Sequence, residues 1–311
     1  MLQSKNMEYQ TTIKTPFTLS GPGLHTGKFT HTTIKPAAAG QGILIRRTDV
    51  EGMPEIQAVA ENVADTNHGT TVARDHVSVS TIEHMMSALH GMHVDNAIIE
   101  VDGPEVPILD GSALLWVEQI KKSGIVTLEA ERKYLHLSET ITWSDTESGI
   151  VMTAEPAEDF RVDCEIEFKS ELIGNQSATL TSYTQYENDF ARCRTFVFLH
   201  EVEILLSLNL IKGGDLDNAL VFVDKPLGDD EKERLARLFG KDKDSINVNN
   251  GVLNTIVPYF PNEPARHKLL DFMGDIYLVG MPVKGHFTIK CPGHRANVAL
   301  AQQIRKTIIN N

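Results

Sequence analysis

The chain has 311 residues, 41% apolar and 23% charged, with 42 acidic against 29 basic side chains and a formal net charge of −13. That length allows two domains, each with its own core, and the composition is that of a soluble globular protein, not a disordered or fibrous one. The acidic balance argues against nucleic-acid binding, which calls for a basic patch or stripe. No apolar run approaches the roughly 18 residues of a membrane span, and MLQSKNMEYQTT lacks a signal-peptide core, so a cytosolic location is expected. The six residues ahead of Met7 read as a start-site variant or a cloning remnant. Cys164, Cys193 and Cys291 are odd in number and widely spaced, so any metal must be held by histidine and carboxylate.

The first half opens with short strands and turns in TPFTLSGPGLHTGKFTHTTIKPA, GILIRRTDV and HVSVS, punctuated by glycine and proline. TIEHMMSALHG then switches to helical spacing, with Ile82, Met85, Met86 and Leu89 on one side and a terminal glycine. NAIIEV reads as a buried strand, GPEVPILDGSA as a loop, and LLWVEQIKKSG as a helix. Residues 122 to 132 mark a change of domain, giving units of 1–126 and 127–311. In the second half, strands are predicted in KYLHLSETITW, GIVMTAEPA and FRVDCEIEF, followed by an irregular stretch. A helix around FLHEVEILLSLN, a strand in GGDLDNALVFVD and a charged helix in DDEKERLARLF come next. PARHKLLDFMGD is helical, and GHFTIK a strand. EHMMSALHGMHVDNAIIEV and RHKLLDFMGDIYLVGMPVKGHFTIK share one order: a helix with histidine in its first turn, a turn region, an apolar strand. The pairing hints at two related α+β units.

His267, Asp271 and Asp275 recur at steps of four and stack along one side of their helix, opposite Leu269, Leu270, Phe272, Met273 and Ile276. Taken alone the stripe reads as a solvated face. His267 and Asp271, one turn apart, also suit a common metal ion. A catalytic zinc site takes three protein ligands and an open fourth position, and His84, on the matching helix of the other half, is the best-placed third. Glu83 diverges from His84 by about 100° around a helix, so it suits a base acting on metal-bound water better than a ligand. A His, His, Asp set leaves zinc one net positive charge, which draws the pKa of water from about 15.7 towards 7; iron(II) would accept the same ligands. His294, in CPGHRAN, suits an electrophile or general acid, or a plain loop histidine, and Asp275 either orients it or faces solvent. Lys268 would serve a phosphate or face water. His25 in GPGLHTGK lacks the phosphate-loop pattern and reads as a turn residue. Val197, Phe198 and Leu199 read as core packing, which an acyl channel would resemble.

GPGLHTGK, STIEHMMSALHGMHVDNAIIEV, GPEVPILDGSA, CRTFVFL, IKGGDLDNA, RHKLLDFMGD and PGH occur in order from about residue 10 to 305. Together they resemble the UDP-3-O-acyl-N-acetylglucosamine deacetylases (LpxC). The resemblance implies zinc-dependent removal of the N-acetyl group from UDP-3-O-acyl-N-acetylglucosamine, the committed step of lipid A synthesis in Gram-negative bacteria. It implies an α+β fold of two similar domains packed with their helices between two sheets. It makes His84, His267 and Asp271 the zinc ligands and Glu83 the base. His294, held by Asp275, becomes the cationic partner of the oxyanion or leaving amine. Thr195 would donate to the tetrahedral intermediate, Lys268 would contact substrate phosphate, and Phe196 with the residues after it would border an acyl passage in the second domain.

Two positions depart from the family pattern. Cys291 stands where relatives often carry a basic residue, and His68 with Gly69 where they are commonly apolar. RTFVFLHE and PNEPARHKLLD look most like Bacteroidetes-type members, in which a FabZ-like dehydratase is often fused behind the deacetylase; this chain ends in IINN without one. The alternatives are a metal-dependent amidohydrolase acting on another N-acyl sugar and a non-catalytic binder of acylated nucleotide sugars. Peripheral membrane contact is compatible with all three.

Overall fold

The computed structural model describes residues 8–253 and 257–309. Met7 and the residues ahead of it lie outside that range. Its framework is one supersecondary arrangement used twice. In the first half a five-stranded sheet runs in the order Phe17–Pro22, Phe29–Pro36, Ala97–Val101, Ile43–Arg47, Glu55–Gln57. The central strand Ala97–Val101 is antiparallel to Phe29–Pro36 and parallel to Ile43–Arg47. In the second half the order is Ile141–Asp145, Ile150–Glu155, Val283–Lys290, Phe160–Glu167, Asn175–Leu180. There the central strand Val283–Lys290 is again antiparallel to the strand before it and parallel to the one after. Leu135–His136 adds a short parallel pairing to that central strand.

In each half the central strand comes late in sequence and follows a helix. Helix α1 (Glu83–Gly91) precedes Ala97–Val101, and α2 (Leu114–Ser123) follows it. The other four helices belong to the second half: α3 (Leu199–Ser207), α4 (Asp229–Phe239), α5 (Glu263–Ile276) and α6 (His294–Ile309), of which α5 and α6 flank Val283–Lys290. The hint of two related units in the paired passages is thus met by two sheets of matching order, and the fold is α+β. Helix α1 packs against α5, α5 also packs on Phe160–Glu167 and Asn175–Leu180, and α6 packs on α5 and on Ile141–Asp145. One continuous core, from Ile34, Ile45 and Ile99 through Met85, Leu89, Leu270 and Phe272 to Phe287 and Ile289, joins both sheets through the helix layer.

Each half carries an insertion at the same topological point, between its last edge strand and the helix. In the first it is a three-stranded sheet, Val63–Asp65, Thr71–Arg74 and Val77–Val79. In the second it is a four-stranded sheet, Phe196–Phe198, Leu220–Phe222, Val252–Leu253 and Val248–Asn249, with α3 and α4. The latter has a small core of its own, including Leu199, Val202, Leu216, Val221 and Leu235.

Five sequence expectations need correction. All nine residues of α1 are buried, so Ile82, Met85, Met86 and Leu89 do not form one inner side facing a wet one. In α5 only Arg266 and Lys268 escape full burial, so the His267, Asp271, Asp275 stripe is not a solvated face. A helix with apolar residues on one stripe and titratable groups on the other can be covered on both sides when it lies between two sheets. Helix α5 begins at Glu263, with proline at its second position, which puts His267 in the second turn. The stretch read as irregular contains the strand Asn175–Leu180 and a π-helical turn at Tyr186–Phe190, and His294 opens α6 where a loop was expected.

Candidate metal centre

Where α1 crosses α5, three side chains from the two halves meet. His84 Nε2 lies 3.4 Å from Asp271 Oδ1, and His267 Nε2 lies 3.3 Å from the same oxygen. The imidazole rings stand nearly perpendicular, at 81°, with centroids 5.0 Å apart. One ligand atom from each of the three falls within 4.8 Å of the others, the one such group of potential metal-ligating residues found among the described residues. His84, His267 and Asp271 are all buried.

The electrostatics match a cation site. Burial pushes His267 down to about 3, so its imidazole is neutral at physiological pH. Its Nδ1 lies 3.0 Å from the Cys193 carbonyl, which must accept from Nδ1–H and leaves the Nε2 lone pair facing the cluster. Burial opposes the charge on Asp271, yet the Lys268 ammonium and a hydrogen bond from His84 help outweigh it and hold the carboxyl well below the ordinary range. Burial likewise works against protonated His84, and the Asp271 carboxylate outweighs it, raising that histidine above its usual value. Asp271 Oδ1 is buried without a hydrogen-bond partner. An orphaned carboxylate oxygen flanked by two imidazole nitrogens is a costly arrangement by itself and an ordinary one around a divalent ion. The donor set, two nitrogens and one carboxylate oxygen, fits zinc or iron(II).

Glu83 is buried next to His84, and its Oε2 accepts the Thr70 amide at 2.9 Å. Across the site, His294 Nδ1 lies 2.9 Å from Asp275 Oδ2. Burial disfavours charge on His294, but the carboxylates of Asp275 and Glu83 prevail and raise it to about 9. Asp275 is fully enclosed: Asn297 Nδ2 donates to Oδ2 at 2.9 Å and Thr70 Oγ1 donates to Oδ1 at 2.5 Å. Lys268 Nζ pairs with Asp271 Oδ2 at 2.9 Å and sits 5.7 Å from the centre of the Phe196 ring. Thr195 is anchored by its amide to the Gly111 carbonyl, 2.8 Å, and its own carbonyl accepts from Leu220.

Most of these groups line one cavity of about 250 Å³ whose wall is partly polar and partly apolar. Glu83, His84, His267, Asp271, His294, Lys268 and Thr195 supply its polar lining; Phe196, Val197, Val202, Leu205 and Phe239, all from the second insertion, supply apolar lining. The nine residues named as site candidates from sequence are thus brought together, except that Asp275 stands behind His294 without facing the cavity. Val197 faces the cavity, whereas Phe198 and Leu199 are buried in cores, so the apolar run divides between cavity wall and core.

Sequence reasoning missed several supports. His25, read as a turn residue, lines the cavity, and its Nε2 is 2.9 Å from the His68 carbonyl. Glu105, fully buried, accepts from the His25 amide at 2.9 Å, from the Thr26 amide at 2.8 Å and hydroxyl at 2.7 Å, and from the Thr81 hydroxyl at 2.8 Å. That carboxylate holds Thr81 at φ 59°, a left-handed conformation costly for a β-branched residue, two positions before Glu83. The signal was present in GPEVP, where a lone acidic residue sits among apolar and turn residues, but nothing in the sequence named its partners.

Two sheets of matching order with a buried two-histidine, one-carboxylate cluster between their helices define an α+β protein with a candidate metal centre. The match of family models narrows this: residues 10–243 and 240–306 match the model for UDP-3-O-acyl N-acetylglycosamine deacetylase (LpxC). The chain belongs to that family. It is 46% identical over 305 residues, 98% of its length, to the bifunctional enzyme LpxC/FabZ of Porphyromonas gingivalis, of which it covers 66%. It is 42% identical over 302 residues to the LpxC/FabZ enzyme of Bacteroides thetaiotaomicron, covering 96% of this chain and 65% of that protein. To the UDP-3-O-acyl-N-acetylglucosamine deacetylase of Syntrophus aciditrophicus it is 38% identical over 299 residues, covering 96% of this chain and 86% of the relative. The chain therefore spans just under two thirds of the length of the bifunctional relatives it matches. Among the described residues no helix is long and apolar enough to cross a membrane.

Proposed function

We propose that the chain hydrolyses the N-acetyl group of UDP-3-O-acyl-N-acetylglucosamine, giving UDP-3-O-acyl-glucosamine and acetate, in lipid A biosynthesis. The observation that carries the reading is the single cavity that the His84, His267, Asp271 cluster and Glu83 share with an apolar wall from the second insertion. An amide hydrolase acting on an unacylated sugar has no use for the apolar half. Family membership and the names of the relatives support the substrate.

His84, His267 and Asp271 would hold the metal, zinc by preference of the ligand set, with iron(II) as a second occupant. A metal held there would supply Lewis acidity toward the amide carbonyl and the attacking water. Glu83, fixed by the Thr70 amide, takes a proton from the attacking water as the carbon–oxygen bond forms. Thr195 and protonated His294 offer donors to the oxyanion of the tetrahedral intermediate. His294, held on Asp275 through Nδ1, gives its Nε2 proton to the departing sugar nitrogen as the carbon–nitrogen bond breaks. Lys268 would meet substrate phosphate, at the expense of part of its pairing with Asp271, and Phe196 would border the acyl chain.

The division into units of 1–126 and 127–311 is carried with this reading, supported by the matched sheets. Three cysteines without disulfides suit a reducing compartment, the cytoplasm. A FabZ-like dehydratase is the partner suggested by the bifunctional relatives. Acetate release measured on the acylated UDP-sugar and on its unacylated analogue tests the proposal: turnover of the first should exceed the second by at least ~100-fold. Equal turnover of both would favour an amidohydrolase of other N-acyl sugars.

A further inference from the structure

Thr70 lies in the first insertion, in NHGTTVAR, and touches the machinery of both halves. Its amide donates to Glu83 Oε2 at 2.9 Å, and its carbonyl accepts from the Ile82 amide at 3.3 Å, so its backbone is fastened to the start of α1. Its hydroxyl donates to Asp275 Oδ1 at 2.5 Å, across 205 residues of sequence. Thr70 and Asp275 are fully buried and Glu83 nearly so, which keeps water from substituting for either bond. With Asn297 and His294 on the other oxygen, the Thr70 hydroxyl completes the set of donors around Asp275.

We infer that Thr70 is a positioning residue that sets the separation between the proton-accepting and proton-donating arms of the site. It does so by holding Glu83 through its amide and, through its hydroxyl, the Asp275 carboxylate that orients His294. The inference rests on the proposed roles of Glu83 and His294. The two arms come from different halves of the chain, on α1 and on α5 with α6, and Thr70 is bonded to both. Valine in its place keeps the volume and leaves Asp275 Oδ1 without its donor, while the loop loses its tie to α5. Misplacement of a reacting group by about 1 Å costs on the order of 100-fold in rate.

The expected result for Thr70→Val is a kcat reduced ~10- to 100-fold with KM within ~2-fold and metal content unchanged, and for Thr70→Ser recovery to within ~3-fold of the parent. In an Asp275→Ala background Thr70→Val should add less than ~2-fold, because the group it acts through is already gone. A Thr70→Val enzyme with the parent kcat, or one whose loss persists in full in Asp275→Ala, overturns the inference. If the parent enzyme releases no acetate, it is the deacetylase reading that falls. The link is then read without turnover, from the amide proton of Thr70 in labelled, full-length protein. That resonance should move both in Glu83→Gln, its direct partner, and in Asp275→Asn, which it meets only through the hydroxyl. A resonance that stays in place in Asp275→Asn overturns the link.

Discussion

Gly274 of α5 faces the backbone of Glu83 so closely that a β-carbon on it would lie 2.0 Å from the Glu83 carbonyl oxygen and 2.8 Å from its carbonyl carbon. Both contacts are with main chain, which cannot rotate aside. The glycine therefore sets how near α5 comes to α1, and through that the 3.3–3.4 Å spacing of His267 and His84 around Asp271.

Gly274→Ala should accordingly cost about 1–3 kcal/mol of stability by overpacking and should weaken metal binding, since the three proposed ligands straddle the contact. Denaturant unfolding and metal titration of the variant check this. Native stability together with native affinity would show that α1 and α5 have slack which the 2.0 Å approach denies.

Metal removal gives a second expectation. A cation bound between the unpartnered Asp271 Oδ1 and the two facing imidazoles would stabilise the folded chain, and at 100 times its Kd it would add about 2.7 kcal/mol. Chelation should lower the thermal midpoint by about 4 °C, and zinc should restore it. In Asp271→Ala the chelator-dependent shift should vanish. An unchanged midpoint in the parent protein on chelation would count against a metal in this cluster.

The pH dependence follows from His294, raised to about 9 because Asp275 and Glu83 overcome the effect of burial. The donor must be protonated, so activity should be present below this value and fall as pH rises through it. A divalent cation in the adjoining cluster repels the imidazolium and moves the basic limb below 9. The same shift contributes stability that is complete below the unfolded value near 6.5 and lost as pH rises through the folded one. His294→Gln should abolish the basic limb of the kcat profile, and a limb that persists at the same pH would assign it to another group.

A fourth expectation concerns the far end of α1. His90 Nδ1 meets the Met273 carbonyl at 2.8 Å, so it carries the proton, and Nε2 accepts from the Tyr183 hydroxyl at 2.8 Å. The ring stacks on Tyr277, 4.5 Å between centroids, and burial pushes its pKa down to about 3. The unfolded chain binds this proton near 6.5 and the folded one does not, so stability falls as pH drops from about 6.5 towards 3. Between pH 6.5 and 4.5 this histidine accounts for about 2 kcal/mol of that loss. His90→Gln should flatten the stability profile over that interval. An identical slope in parent and variant would place the acid sensitivity elsewhere, His93 being the nearest alternative.

The elements themselves were legible from periodicity: Ile43–Arg47, Ala97–Val101, α2 and α4 fall where alternation or helical spacing puts them. What periodicity could not reveal is which faces become covered. His84, His267 and Asp271 sit on helices whose polar side looks like a surface until the second sheet is laid over it, because amphipathic spacing records only one partner. The three proposed ligands and Glu83 could be nominated from ligand spacing and from the family resemblance. Thr70 and Glu105 could not, since each acts through loop backbone and partners far away in sequence, and a buried threonine or glutamate has no pattern of its own. The opening of α6 was missed at CPGHRAN because cysteine, proline and glycine announce a turn and the histidine after them begins the helix.

The most direct test of the central claim separates metal holding from proton transfer in the adjacent pair Glu83 and His84. Metal content and acetate release from UDP-3-O-acyl-N-acetylglucosamine are measured in Glu83→Ala and His84→Ala. The account predicts that Glu83→Ala retains about one metal ion per chain and loses at least ~100-fold in kcat, whereas His84→Ala loses the metal and the activity together. Loss of metal in Glu83→Ala in proportion to its remaining activity would contradict it.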